Sequence, residues 1–231
     1  MAFAQQVPGT PTDGEGGPGG QIRVLIVDDH EILASSLAMV LEQQPDITTV
    51  GVAGTLAQAR DMLRTTAPDV VLLDHRLPDG DGVAAIGDLH ALRPPARIVV
   101  LTATAADHVL VAAVEAGAAG FVSKTRGITE VTSAVRAAAA GEAVVSSEML
   151  ARLLPRLQRN RQTGRTELTD REREVLTLLA DGLSNAAIAK RLVVSVHTVR
   201  NHIANMSGKL GAHSKLEVLS IAVREGLLPE R

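Results

Sequence analysis

Val70-Val71-Leu72-Leu73-Asp74 runs four apolar residues, two of them β-branched, straight into a carboxylate, and Leu77-Pro78-Asp79-Gly80 then turns the chain. A short apolar run bounded by turn residues suits a strand buried on both faces, as in a parallel sheet. Asp74 then stands at the rim of that sheet. The design recurs three times: Ile22 to Val27 ends in Asp28-Asp29, Ile98 to Leu101 in Thr102, and Phe121-Val122 in Ser123-Lys124. In open α/β sheets, ligands bind outside the carboxyl ends of the strands. Three carboxylates, a hydroxyl and an ammonium gathered there make a site for a divalent cation and a phosphoryl group.

Outward from this stretch, strands and helices alternate. Expected strands lie at 22–27, 47–53, 69–73, 97–101 and 119–122, with helices near 31–43, 55–65, 82–92, 107–116 and 128–140. The helices carry apolar residues at helical spacing, as Ile32, Leu33, Leu37, Val40 and Leu41 do in the first. Five strands interleaved with five helices imply a parallel sheet covered on both faces, with right-handed crossovers.

Residues 1–20, rich in Gly and Pro, read as a disordered tail. Gly16-Gly17-Pro18-Gly19-Gly20 is no phosphate loop, because no strand precedes it and no Gly-Lys-Ser/Thr follows. Residues 141–166 read as a linker with a short helix from Glu148 to Leu157, weakened by Pro155.

From residue 167 the strands stop and four short helices are expected. Thr169 and Glu172 form a capping box for the first. Ser184-Asn185 opens the second, Ser195 caps the third, and the fourth runs from about Lys215 to Arg224. On the third, Val196, Val199, Ile203, Met206 and Leu210 make one apolar stripe. The opposite face carries His197, Arg200, Asn201, Ala204 and Gly208, flanked by Thr198, His202, Asn205 and Lys209, with no acidic residue. Such a surface suits phosphates and base edges, and the preceding helix with the turn at Val193-Val194-Ser195 completes a helix-turn-helix.

Composition agrees. The net charge of −3 conceals a front half (1–147) at −8 and a back half (148–231) at +5, as expected of two domains with different partners. There are no cysteines, which removes disulfides and thiolate chemistry. Aromatic residues are 1%, which argues against single-strand or RNA recognition by stacking. No apolar run approaches the ~20 residues of a membrane span, and no secretion signal is visible, so a cytoplasmic protein is expected.

These motifs carry a resemblance. Residues 21–140 resemble the receiver domain of two-component response regulators, with Asp28-Asp29, Asp74, Thr102 and Lys124 at the family's acidic pair, phosphoacceptor, switch hydroxyl and lysine. Residues 167–231 hold a segment, 167–228, that resembles the LuxR-type helix-turn-helix: Leu168-Thr169-Asp170-Arg171-Glu172-Arg173-Glu174-Val175-Leu176 and Thr198-Val199-Arg200-Asn201-His202 are close to its signatures. Together the chain is similar to a NarL/FixJ-type regulator. The resemblance implies a flavodoxin-like doubly wound receiver followed by a small all-α domain of four helices. It implies Mg²⁺ on Asp28, Asp29, Asp74 and the backbone carbonyl of Arg76, with Asp74 accepting a phosphoryl group from a partner histidine kinase. Thr102 and Phe121 would be the switch pair, the Phe121 ring turning inward, although a plain core Phe is an equal alternative. Arg200, Asn201 and Ala204 match base-facing positions; Thr198, His202, Asn205 and Lys209 match phosphate-facing ones. A homodimer on double-stranded DNA is implied, with part of the last helix as its dimer surface. Thr125 departs from the Pro common after the lysine, and Ala204 from the longer polar residue common there. Two other readings compete: a Mg²⁺-dependent phosphatase, disfavoured because Arg76 stands where a second carboxylate is needed, and a regulator working by protein contact without phosphate.

Overall fold

The computed structural model describes residues 20–102, 106–124, 127–157 and 168–228. The expected tail before Gly20, Thr125, and the polar linker stretch 158–166 therefore lie outside the described residues.

The alternation is as expected: β1 (Ile22–Val27), α1 (Glu31–Glu42), β2 (Ile47–Ala53), α2 (Leu56–Thr66), β3 (Val70–Asp74), β4 (Arg76–Leu77), β5 (Gly80–Asp81), α3 (Gly82–Leu92), β6 (Arg97–Thr102), α4 (Asp107–Glu115), β7 (Gly120–Ser123) and α5 (Ile128–Ala139). Five strands form one parallel sheet in the order β2-β1-β3-β6-β7. Strand order reverses beside β1, so the carboxyl ends of β1 and β3 flank the switch point where doubly wound sheets bind ligands. The turn after β3 is more ordered than expected: β4 and β5 pair as a two-residue antiparallel hairpin, too short for any periodicity to announce.

Alternation along the strands builds two cores. Val24, Ile26, Val70, Leu72, Val99 and Leu101 pack with Leu37 and Leu41 of α1 and Val131 and Val135 of α5. Their neighbours Leu25, Val27, Val71, Leu73, Ile98 and Val100 face α2, α3 and α4. Side chains buried on both faces explain why these strands read as unbroken apolar runs rather than alternating ones.

After α5 the chain runs along the free edge of β7: Phe121 N–H donates to Val144 O (2.9 Å) and Val144 N–H to Ala119 O (2.9 Å). A Cβ at Gly120 would lie 2.2 Å from Val144 O, so only glycine admits this approach. The linker then forms α6 (Ser147–Leu157), a full helix with Pro155 inside it. Its cost is contained because Pro155 sits in the last turn, where few helical bonds remain to lose.

Four helices complete the chain: α7 (Asp170–Ala180), α8 (Asn185–Leu192), α9 (Val196–Leu210) and α10 (Lys215–Arg224). Val175, Leu176, Ile188, Val199, Met206, Leu219 and Ala222 form their core. Val196, expected in the apolar stripe, is 36% exposed, because the first turn of α9 projects beyond that core. The interior of this unit is continuous with the α2–α3–α4 side of the sheet. α10 packs on α4 and α6 as well as on α7 and α9, and all nine residues from Lys215 to Val223 are buried. The share of α10 expected to form a dimer surface is therefore covered by the receiver. Among the described residues, no helix is long and apolar enough to cross a membrane.

Candidate functional site

The rim of the sheet gathers what the strand ends carry. Asp28 (2% exposed), Asp74 (3%) and Thr102 (3%) are buried there. Lys124 Nζ lies 2.6 Å from both Asp28 Oδ2 and Asp74 Oδ2, and its backbone N–H donates to Thr102 O (2.9 Å), which fixes the start of the loop. Burial works against the Lys124 ammonium, but hydrogen bonds to Asp28 and Asp74 outweigh it and hold its pKa above the ordinary value. One side-chain ligand atom each from Asp28, Asp29, His30 and Asp74 falls within 4.8 Å of the others. Asp29 and His30 are the exposed members and leave the cluster open to solvent.

Three carboxylates at this spacing suit a hard cation that keeps several waters and needs few protein ligands. The His30 nitrogen suits softer metals; here His30 Nδ1 lies 2.8 Å from Asp29 Oδ1 and its backbone N–H donates to Asp28 Oδ1 (3.0 Å). The donor set thus fits Mg²⁺ through the carboxylates. Arg76 is exposed, and its backbone N–H reaches Asp74 Oδ1 at 3.4 Å.

The Phe121 ring lies inside, 8% exposed in the core on the α4 side, a position shared by a core Phe and by the inward form of the expected switch.

The sequence reading overlooked several residues. His75 Nδ1 lies 3.6 Å from Asp74 Oδ1, and His30 braces the acidic pair; both directly follow site aspartates, the one signal available. A Cβ on Gly82 would come within 2.0 Å of Asp74 O, so glycine there lets α3 begin against the end of β3. Asp79 accepts from the backbone N–H groups of Leu56 and Ala57 (2.8 and 3.0 Å), tying the hairpin loop to the start of α2.

The second surface lies on α9. Ser195 caps it, accepting from Thr198 N–H (3.0 Å) and pairing with the Thr198 hydroxyl (2.8 Å). Val193 ends α8 in the left-handed region (φ 54°), and Val194 N–H donates to Ala189 O (3.0 Å), which makes the tight turn. Arg200, Asn201, Ala204 and Asn205 are exposed on one face, while His202 is half-buried. Among the described residues Arg200 has no ion pair. Lys209 is engaged: its Nζ lies 2.6 Å from Glu172 Oε2, the buried capping-box carboxylate of α7. Burial opposes the Glu172 charge, but Lys209 and Thr169 outweigh it and lower its pKa.

The α9 surface faces the receiver at the amino ends of β6 and β7, away from the rim. Arg200, Asn201 and Ala204 line a cleft of about 620 Å³ whose other wall includes Arg97 and Glu142 of the receiver side. Glu142 bridges across: Oε1 accepts from Asn185 N–H (3.1 Å) and Oε2 from Lys215 Nζ (3.0 Å). Arg97 Nη1 donates to His213 O (2.6 Å) and Ser214 Oγ to Ala118 O (2.8 Å).

A carboxylate-and-lysine rim on a doubly wound sheet, joined to a capped helix-turn-helix, defines a signal receiver coupled to a DNA-binding module. Comparison with known proteins agrees. Residues 24–136 match the response regulator receiver domain family, and residues 166–222 the bacterial regulatory proteins of the luxR family. The chain is 34% identical to the DNA-binding transcriptional activator DevR/DosR of Mycobacterium tuberculosis, over 87% of this chain and 94% of that one. It is also 34% identical to the transcriptional regulatory protein LiaR of Bacillus subtilis, over 90% and 99%. Among solved structures, the RcsB response regulator of Salmonella typhimurium matches with a TM-score of 0.53 and 28% identity, over 87% of this chain and 97% of that one. The chain belongs to the response regulators that join a receiver to a LuxR-type DNA-binding domain, and its relatives are regulators of transcription.

Proposed function

We propose that Asp74 is the phosphoacceptor and that its phosphorylation by a histidine kinase frees the C-terminal domain to bind double-stranded DNA as a homodimer in the cytoplasm. One Asp74 carboxylate oxygen attacks the phosphorus of a kinase phosphohistidine; the P–O bond forms as the P–N bond breaks, and the imidazole leaves. Asp28, Asp29, Asp74 and the carbonyl of Arg76 are the groups that would hold Mg²⁺. When bound, the cation supplies charge to offset the phosphoryl oxygens. Lys124, already poised between Asp28 and Asp74, offers a second positive charge to the same oxygens. Thr102 at the end of β6 would donate its hydroxyl to an oxygen of the new phosphoryl group, which links the site to α4.

The packing of the second domain supports the regulatory half of this reading. A cleft of about 620 Å³ is far too small for a duplex whose major groove alone is about 12 Å wide. The buried α10 likewise has no free face for a second copy. The packed arrangement is thus the resting one, and phosphorylation acts by favouring an open arrangement already in equilibrium with it. Arg200, Asn201 and Ala204 then meet base edges, and Thr198, His202, Asn205 and Lys209 meet phosphates. The protein is a regulator and not an enzyme of phosphoester turnover; exposed Arg76 offers no general acid two residues after Asp74.

The observation that carries the reading is the convergence of Asp28, Asp29, Asp74 and Lys124 at one rim. Acetyl phosphate with Mg²⁺ is expected to give hydroxylamine-labile phosphorylation of wild type and none of Asp74→Asn, read by intact-protein mass. Labelling that persists in Asp74→Asn refutes the assignment, and rapid turnover of diverse phosphoesters favours the phosphatase.

A further inference from the structure

The interface between the two domains holds an unusual pair. His90 on α3 and His213 in the corner between α9 and α10 stack with ring centroids 4.8 Å apart and planes 20° apart. His90 is 1% exposed. Its Nε2 lies 3.2 Å from Gly117 O; a carbonyl only accepts, so Nε2 carries the proton. Its Nδ1 is buried with no hydrogen-bond partner, so that atom is the bare nitrogen of a neutral ring.

The surroundings hold His90 in that state. From β6 comes the Arg97 guanidinium, which donates to His213 O. Arg93 follows on the C-cap of α3 itself. From the α4–β7 turn comes Gly117, where a Cβ would lie 3.2 Å from the His90 ring and 3.0 Å from Glu217 Oε2. From the second domain come His213 and Glu217. Glu217 Oε2 accepts from His213 N–H (2.6 Å) and sits 3.2 Å from His213 Nδ1. His213 in the α9–α10 corner and Glu217 in the first turn of α10 both belong to the second domain, so their contact travels with it and does not distinguish packed from open. Among the described residues, no carboxylate is paired with His90. Burial first, then the nearby His213 and Arg97, push its pKa down to about 4.

We propose that the His90–His213 stack is a proton-sensitive catch, in which uptake of a proton by His90 releases the DNA-binding domain from the receiver without phosphoryl transfer. Protonation at Nδ1 creates an unpaired cation inside the interface, beside a second imidazole and a guanidinium. Departure of the second domain removes His213 and admits water to the ring. The open form therefore binds the proton more tightly than the packed form. His90 is neutral in both forms above its ordinary value of about 6.5, so the packed form is undisturbed there. As pH falls below that value the open form alone gains protons, and the advantage grows until the packed form titrates near 4. With those two values, linkage gives about a tenfold rise in the open-to-packed ratio between about pH 8 and about pH 5.5.

The catch rests on the packed arrangement being the resting one, and one experiment separates the two ideas. The chain has no cysteine, so Ser36→Cys and Lys190→Cys, both at exposed positions on separate domains, accept a donor–acceptor dye pair uniquely. Energy transfer in the full unphosphorylated chain is expected to report a packed state at neutral pH and a roughly tenfold shift toward open by about pH 5.5. His90→Gln, which keeps a donor for Gly117 O, is expected to abolish that shift; His213→Gln, which uncovers the ring, is expected to diminish it and serves if His90→Gln fails to fold by circular dichroism. A packed wild type with no pH response, or an undiminished response in a folded variant, overturns the catch alone. A protein already open at neutral pH overturns both ideas. Opening by BeF₃⁻ and Mg²⁺ at neutral pH supports phosphoryl control whichever way the proton arm falls.

Discussion

The carboxylate rim and the polar face of α9 are both formed in this structure, yet only one is open to solvent. The rim site is assembled from four strand ends with its lysine in place, and Asp29 leaves it open to solvent. The helix α9 carries its contacts on one continuous face, but Arg200, Asn201 and Ala204 look across a narrow cleft at the receiver. The first region is built by sheet topology and is exposed at Asp29. The second is built by helical periodicity and is controlled by what covers it. Under the proposed function, the difference places control in the contact between domains, where a polar bridge at Glu142 and an apolar seam along α10 hold the cover down.

The comparison can be broken at that contact. Glu142→Gln leaves the Lys215 ammonium buried without its carboxylate, and burial already lowers the Lys215 pKa. Losing one partner of a buried pair costs about 3–5 kcal/mol; Glu142 is partly exposed, so about 1–3 kcal/mol against the packed form is expected. Duplex affinity without phosphorylation should rise accordingly in a gel-shift titration, and an unchanged affinity would detach Glu142 from control.

On the recognition face, Arg200→Ala is expected to weaken specific binding by about 1–3 kcal/mol if its guanidinium forks onto a base edge. The measurement is the ratio of affinities for a selected site and random duplex, in protein opened by BeF₃⁻. A ratio that survives the substitution would remove Arg200 from base reading and leave the face to phosphate contact.

The smallest effect sharpens the comparison from within the helix-turn-helix. Val193 is 90% exposed and holds φ of 54°, a conformation that costs a β-branched residue about 1–2 kcal/mol. Val193→Gly relieves that strain but adds freedom to the unfolded chain, worth roughly 0.5–1 kcal/mol. A net stabilisation of up to about 1 kcal/mol is expected from chemical denaturation, with no change in the packed state reported by the dye pair. Destabilisation would mean that the Val193 side chain has a partner its exposure does not suggest.

Much of this was legible in the linear chain, for reasons that name particular residues. The buried strands announced themselves because apolar residues on both faces leave no alternation, and Asp28, Asp74 and Lys124 stood out as charges at the ends of such runs. The capping box at Thr169 and Glu172 is local chemistry and formed as read. What the linear chain did not show depended on neighbours distant in sequence: Val196 lay beyond the core, and Lys209 met Glu172 on another helix. The hairpin of β4 and β5 was too short for any period to reveal.

The chain by itself determined the two folds, the rim that gathers the carboxylates, and the polar face of α9, because each follows from periods of two and 3.6 residues repeated over many positions. Tertiary structure alone decided that α10 has no free side, that Glu142 reaches Lys215 and Asn185, and that His90 meets His213. No local rule places residues so far apart in sequence against each other; such meetings follow from the area and polar groups that two finished domains bury together.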